Sequence, residues 1–341
     1  MAEQDWLTPA TAPAPSPYYN VAEAPGLAAP AYELRPLSLG ELLDRTFSLY
    51  RSRFWLFAGI ASMAAAVELV VAALGRILVH RFSKDPATLY GGALIVTYIA
   101  GLIYFFVFAV TQAATTFAMA EAYLSRPVNI GSAMRAVIGK WYAWIGIALW
   151  QLWSASWIFL ALFVPFIVVS ALKIVIGPAS SVLLIVLMVL LLIGAGVYGI
   201  IAYIRNSLAT PVKVVEGISV RSAMRRSKDL TAGAKGRIFV LGLIVWALNV
   251  AAAIAQMPFA MMTVLAPTKS HIFSEMATLF ITFAAHSLIT PVVSIGLCLI
   301  YFDQRVRREA FDLDFLLGPE LPAAPLADYP AAEAPTDAPQ Y

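Results

Sequence analysis

Six long apolar runs constrain the fold of this chain more than any other feature. Each run is long enough to cross about 30 Å of hydrocarbon as a helix, at a rise of about 1.5 Å per residue. Only 13% of the 341 residues are charged, whereas a soluble domain averages about 25%. We therefore predict an all-α, polytopic membrane protein with six transmembrane helices. The predicted spans are Phe54–Val79, Tyr90–Met119, Trp141–Leu172, Val182–Ile204, Phe239–Leu265 and Met276–Phe302.

The stretch Leu37–Phe57, which leads into the first span, predicts an amphipathic helix at the membrane surface. Ser38 and Glu41 have the spacing of a capping box, in which each side chain accepts a hydrogen bond from the other residue's backbone N–H. Apolar residues recur at i, i+3 and i+4, and charged residues occupy the opposite face. A surface helix of a soluble domain has the same periodicity, but here an apolar run of membrane length follows directly.

Two related segments follow, each before another pair of apolar runs. The tetrapeptide Ser132–Arg135 recurs as Ser222–Arg225, 90 residues later, and Arg45 lies 90 residues before the first copy's arginine. We therefore predict further interfacial helices at about 130–139 and about 220–230. The chain would then contain three repeats, each an interfacial helix followed by a helical hairpin. One shared tetrapeptide is a weak signal, so chance similarity is the alternative to this threefold interpretation.

Positive charge is concentrated on one side of the predicted bundle. Of the 23 Lys and Arg residues, 18 lie before the first span, in the second and fourth loops, or after the last span. By the positive-inside rule this predicts that both termini are cytoplasmic. We interpret the basic interfacial residues as general contacts to anionic lipid, the alternative being a dedicated lipid-headgroup or nucleotide site. The candidate lipid contacts are Arg45, Arg51, Arg135, Arg221, Arg225, Arg226 and Lys228.

The two ends of the chain differ in composition from the rest. Residues 1–33 are rich in Pro and Ala, and residues 318–341 are rich in Pro and Ala and acidic. Such segments cannot bury enough apolar surface to offset the entropy of ordering, so we predict that both are disordered. The helical membrane domain is then 34–317. The first segment would act as a tether, with binding to a partner domain as the alternative.

Polar residues inside the apolar runs are candidates for an intramembrane site. Glu68 lies near the middle of the first run and His286 at a similar depth in the sixth. An ionised carboxylate there is costly unless it is paired, protonated or hydrated, and these two can pair if the first and last helices touch. Gln112 and Asn249 could join them. All four could simply hydrogen-bond between helices, or they could form a path for protons or substrate.

Motifs of catalysis and cofactor binding are absent from the sequence. Cys298 is the one cysteine, and the three histidines are scattered, so neither a thiolate zinc site nor a histidine metal centre is indicated. No phosphate-binding loop or nucleophile elbow occurs. We predict no cofactor, no metal, no catalytic residues and no nucleic-acid partner.

Three segments resemble a known family. They are LSLGELLDRTFSLYRSRFW from Leu37, SAMRRSKDL from Ser222 and YFDQRVRREAFDL from Tyr301. Over about Leu34–Leu317 the chain resembles bacterial proteins of the glycerophosphoryl diester phosphodiesterase membrane-domain family. Some members carry a fused phosphodiesterase barrel, which would add roughly 200 residues of alternating strands and helices. No such segment is present, so that activity cannot be carried over. The resemblance implies a helical domain of the bacterial inner membrane of unknown biochemical role.

These observations lead to two hypotheses about function. The first is a non-enzymatic inner-membrane protein with a scaffold, accessory or envelope role, held at the cytoplasmic leaflet by basic amphipathic helices. The alternative is a small transporter or lipid-handling protein with a polar path at Glu68 and His286. The membrane subunit of an enzyme acting in trans ranks lower. Expected partners are membrane lipids and either another protein or a second copy. A water-filled cavity that reaches Glu68 would favour the alternative.

Overall fold

The computed structural model describes residues 36–82, 86–176, 178–265 and 272–309. All secondary structure in these ranges is helical, and six helices are long and apolar enough to cross a membrane, which confirms the predicted fold class. The protein is thus a multi-pass membrane protein. The predicted disordered segments, 1–33 and 318–341, lie outside the described residues. The helices are α1 (Leu39–Ser52), α2 (Phe54–Phe82), α3 (Pro86–Tyr123), α4 (Ile130–Ile138), α5 (Trp141–Ile176), α6 (Pro178–Asn206), α7 (Ala209–Glu216), α8 (Val220–Thr231), α9 (Lys235–Leu265) and α10 (Ile272–Glu309).

The long helices form three hairpins, α2–α3, α5–α6 and α9–α10. The short helix α1 precedes the first hairpin, and α4, α7 and α8 lie between the hairpins in the chain; all four lie at the end of the bundle where α10 finishes. We call this the basic end. The order of short helix and hairpin occurs three times, as the sequence predicted, but the packing is unequal. Helix α10 packs extensively against α2, whereas α5–α6 makes less contact with the other two hairpins.

Helix α1 begins as the capping box predicts. The Ser38 hydroxyl accepts a hydrogen bond from the Glu41 N–H, 3.3 Å away, and the Glu41 carboxylate accepts one from the Ser38 N–H at 2.8 Å. Leu37 and Leu42 flank the cap and are both buried. Helix α4 has the same reciprocal cap, between Asn129 and Ser132, and at α8 the Ser219 hydroxyl accepts a hydrogen bond from the Ser222 N–H at 3.3 Å. The local sequence therefore sets where all three short helices begin.

The largest hydrophobic core lies at the basic end. It joins the short helices to the adjoining ends of the long ones, with Phe57, Trp144, Leu208 and Tyr301 among its buried members. Towards the opposite end, a second, small cluster is centred on Ala72, which α10 and α3 cover. Large apolar side chains on the outside of the long helices are exposed, as contact with lipid requires. The polar site described next lies between the two clusters.

Candidate functional site: a polar pair inside the bundle

Glu68 on α2 and His286 on α10 form a hydrogen-bonded pair in the middle of the bundle. Glu68 Oε2 and His286 Nδ1 are 2.7 Å apart. The close packing of α2 against α10 brings them together, although they are 218 positions apart in the chain. The side chains are 20% and 29% exposed, so both lie mostly inside the protein. His286 thus gives the Glu68 carboxylate a hydrogen-bond partner, without which its burial at this depth would be costly.

Neighbouring residues fix the orientation of the pair. The Tyr104 ring of α3 stacks on the His286 ring, with 4.7 Å between centroids and 22° between planes. Arg76, two turns along α2 from Glu68, donates to the backbone carbonyl of Glu275 at 3.3 Å instead. Glu68 is therefore paired with His286 and not with the cation on its own helix.

A cavity of about 370 Å³ lies on the His286 side of the pair, towards the basic end. The hairpin α5–α6 lines one side of it, and residues of α3, α9 and α10 complete the lining. Gln112 and Asn249, both predicted as site residues, line this cavity together with His286. Asn249 donates to the carbonyl of Val245, one turn back on its own helix, at 2.8 Å. Gln112, Asn249 and His286 thus contribute polar groups to one cavity whose lining is otherwise largely apolar.

A second cavity, of about 230 Å³, lies on the Glu68 side, towards the opposite end. Its polar lining includes Glu68, Arg76, Thr97 and Gln256, and its apolar lining includes Leu279. Of these two cavities, Glu68 lines the second and not the first, whereas His286 lines the first and not the second. The hydrogen-bonded pair therefore lies at the boundary between the two cavities.

A row of polar residues on α10 extends past both cavities. Thr278, Thr282, His286 and Thr290 follow one another at four-residue spacing, which places them along one face of a helix. The first two line the smaller cavity, and the last two line the larger one. Sequence reasoning missed the threonines, although this spacing within an apolar run was a usable signal. It also missed Tyr104, whose role depends on how α3 packs against α10.

A buried ionic network connects α1, α9 and α10 at the basic end. The Asp303 carboxylate is completely buried and accepts hydrogen bonds from the Leu37 N–H at 2.7 Å and from Arg307 Nε at 2.9 and 3.1 Å. Arg237 of α9 pairs with the same carboxylate. Arg307 also donates to the Leu37 carbonyl at 2.7 Å. These contacts join the start of α1 to the last turns of α10.

A second network surrounds Arg226 on α8. Arg226 pairs with Glu309 and with Glu216, 3.4 Å away, and Tyr301 donates to Glu216 at 3.0 Å. Burial alone would lower the pKa of Arg226, but hydrogen bonds and charge from the two carboxylates outweigh this and raise it. Part of the Arg226 charge is thus neutralised within the protein.

The other candidate lipid contacts lie on the surface of the basic end. Arg45 is half-buried, and its guanidinium donates to the Tyr123 hydroxyl at 3.3 Å. Arg135 is exposed and donates to the Gly131 carbonyl at 3.2 Å. Contact of these residues with anionic lipid stays a prediction. The remaining exposed candidates are Arg51, Arg221, Arg225 and Lys228.

The site contains titratable and polar groups but not a metal-binding cluster. Across 36–82, 86–176, 178–265 and 272–309, no three His, Cys, Asp or Glu residues are grouped as metal ligands would be. Comparison with family models, with curated proteins and with solved structures finds no match to this chain. The resemblance noted from the three sequence segments therefore stays a prediction. The site offers one hydrogen-bonded Glu–His pair and further hydrogen-bonding side chains at mid-bundle depth.

Proposed function

We propose that this protein is a small transporter in which Glu68 and His286 pass protons, alone or together with a small polar solute, between the two halves of the bundle. The single observation that carries the proposal is that each member of the pair lines a different cavity. This is the second of the two hypotheses drawn from the sequence. Lipid handling is the closest alternative function, since the larger cavity also has an apolar lining.

The chemistry of the pair suits proton transfer. Glu68 Oε2 and His286 Nδ1 are close enough to exchange a proton across one hydrogen bond. A histidine changes charge near neutral pH, which is why it commonly serves as a proton shuttle. A proton that enters from one cavity can be received by one partner and released by the other into the second cavity. The row of threonines provides further hydrogen-bonding groups beside each cavity.

A scaffold role explains this arrangement less well. Polar residues that only join helices are expected to hydrogen-bond across a closed interface. Here Gln112 and Asn249 line open space, and Asn249 hydrogen-bonds to its own helix. The proposal keeps the rest of the sequence interpretation: a non-enzymatic protein of the bacterial inner membrane, with both termini cytoplasmic and basic helices against anionic lipid. It also keeps the family resemblance, and leaves a protein partner or a second copy as an additional contact.

Proton flux into proteoliposomes tests the proposal. The full chain is reconstituted with a pH-sensitive dye inside, and a potassium gradient with valinomycin drives protons inward. We expect wild-type flux to exceed that of protein-free liposomes. In Glu68→Gln and His286→Gln the new side chain can still hydrogen-bond, but it cannot bind and release a proton. We therefore expect the proton flux of each variant to equal that of protein-free liposomes.

Glu121→Gln is the matched control. It removes one carboxylate from the basic end of α3, where Glu121 pairs with Arg126 at the surface. We expect this variant to keep wild-type flux. Wild-type flux no greater than that of protein-free liposomes, or unchanged flux in Glu68→Gln, would rule out the proton path.

A further inference from the structure

A third cavity, of about 100 Å³, lies at the basic end, away from the polar pair. It is formed where α4, α5 and α7 meet α3. Two lysines line it: Lys140, just before α5, and Lys213 on α7. Lys140 is exposed, whereas Lys213 is buried. The cavity therefore has one cation at its rim and another inside.

The buried lysine is positioned by defined contacts. The Lys213 ammonium donates to the Ile218 carbonyl at 2.9 Å and lies 5.5 Å from the centre of the Trp144 ring. Trp144 is itself fixed, because its indole N–H donates to the Val137 carbonyl at 2.8 Å. An ammonium group has three donors. Lys213 can therefore donate further hydrogen bonds to a group inside the cavity.

In the part of the chain that the structure describes, no carboxylate balances the charges of the two lysines. Lys140 is near enough to Lys213 to act on it electrostatically. Within the described ranges, neither ammonium lies within salt-bridge distance of a carboxylate. Two like charges in one small cavity repel each other, and a bound anion would remove that repulsion.

The position of the cavity indicates which anion fits. Lys140 immediately precedes Trp141 and Tyr142, which are 55% and 64% exposed. Exposed aromatic residues at the end of a spanning helix are typical of the membrane interface, the depth at which lipid phosphates lie. The cavity also offers the apolar surface of Phe117 and Trp144 beside its two cations.

We propose that Lys140 and Lys213 form a binding site for a phosphate-bearing group, separate from the polar pair. The chemistry is shared by an anionic lipid headgroup and by free phosphate. Neither lysine was among the lipid contacts expected from the sequence. The site does not depend on transport and would exist if the proposed proton path did not.

Binding of two probes to the purified full chain tests this site and identifies its source of phosphate. Phosphatidylglycerol is titrated into mixed micelles and counted by native mass spectrometry, and inorganic phosphate is titrated separately by thermal shift. We expect saturable binding of at least one probe. Each of Lys140→Gln and Lys213→Gln should weaken it about fivefold, the effect expected for one basic residue facing anionic lipid. Saturation by the lipid alone assigns a headgroup site, and saturation by phosphate assigns a free-anion site.

Lys235→Gln is the matched control, because Lys235 is exposed at the start of α9, at the same end of the bundle, and is not among the predicted lipid contacts. We expect it to change affinity less than twofold. Lys140→Gln changes only an exposed side chain, so it remains informative if Lys213→Gln fails to fold. Equal losses in Lys140→Gln and Lys235→Gln would show non-specific attraction and overturn the proposal. So would binding of phosphatidylcholine as tight as that of phosphatidylglycerol, or saturable binding of neither probe.

Discussion

Asp303 illustrates how one buried carboxylate can determine the arrangement of several helices. It accepts hydrogen bonds from the backbone of Leu37 and from two arginines, and its side chain is completely buried. Removing one partner of a buried ion pair is costly because the other charge stays in place without compensation. Here the two arginines are 23% and 35% exposed, so water would compensate part of that loss.

We therefore expect Asp303→Asn to lower the free energy of unfolding by roughly 2–3 kcal/mol. Thermal unfolding of the detergent-purified protein measures this as a lower midpoint. Asp229→Asn, an exposed change on α8, should leave the midpoint near wild type. An Asp303→Asn midpoint equal to that of Asp229→Asn would show that the network does not stabilise the basic end.

Asn249 allows a direct test of whether the larger cavity contains water. A thiol reacts with water-soluble maleimides as thiolate, which forms where water reaches it. In a Cys298→Ala background, we expect Asn249→Cys to be modified in detergent-free proteoliposomes. Trp246→Cys, less than one turn away at a position that is 62% exposed on the outside of the bundle, should react much more slowly because it faces lipid. Equal rates would mean that the cavity is dry.

For individual residues, the sequence could predict those whose depth in the membrane can be read from their position in an apolar run. Glu68 and His286 were recognised because polar groups stand out in apolar runs and their positions along the runs matched. The stacking of Tyr104 and the pairing of Arg226 with Glu216 and Glu309 depend on contacts between distant segments. Periodicity within one segment does not contain that information.

Among the elements, the hairpin α5–α6 depends on one close approach between helices. A Cβ added at Gly199 would lie 2.8 Å from the backbone oxygen of Ala155 on the facing helix. A backbone oxygen cannot move aside as a side chain can, so the two helices would have to separate.

We expect Gly199→Ala to destabilise the protein by roughly 1–3 kcal/mol, the usual cost of overpacking, despite the higher helix propensity of Ala. Gly194→Ala, in the same helix with open space around it, should be neutral or slightly stabilising. Denaturation in mixed micelles measures both. A Gly199→Ala variant as stable as Gly194→Ala would contradict the close contact.

Helix α7 shows where element prediction failed. The sequence placed 209–216 in a basic loop, but the structure has a short helix there, with Val212 and Lys213 buried. Pro211 in its first turn and Gly217 after its end, with φ of 68°, are the usual start and stop signals of a helix. These signals were not used, because the segment lies among many basic residues and was interpreted as a loop. By contrast α1, α4 and α8 were predicted closely, because each combines a cap with an amphipathic period.

For the whole molecule, the unequal packing of the three hairpins, and not their repeated order, determines where the polar pair and the larger cavity lie. Helices α2 and α10 form a close contact that positions the polar pair, and the less tightly packed α5–α6 leaves the larger cavity beside it. The order of elements was predictable from hydrophobicity and charge, since both act locally. The relative positions of the hairpins were not, because they depend on shape complementarity between surfaces of similar apolar composition.

The orientation of the chain decides which cavity faces which compartment. The basic end carries most of the Lys and Arg residues, so we expect it, with the larger cavity, to face the cytoplasm. In intact cells with a Cys298→Ala background, an impermeant maleimide should label Lys84→Cys and Lys269→Cys. The sequence places these two positions between predicted spans, and they lie outside the described residues. The maleimide should not label Lys228→Cys until the cells are opened. Labelling of Lys228→Cys in intact cells would show that the topology is the reverse of the one expected. The larger cavity would then face the outside, and the smaller cavity would face the cytoplasm.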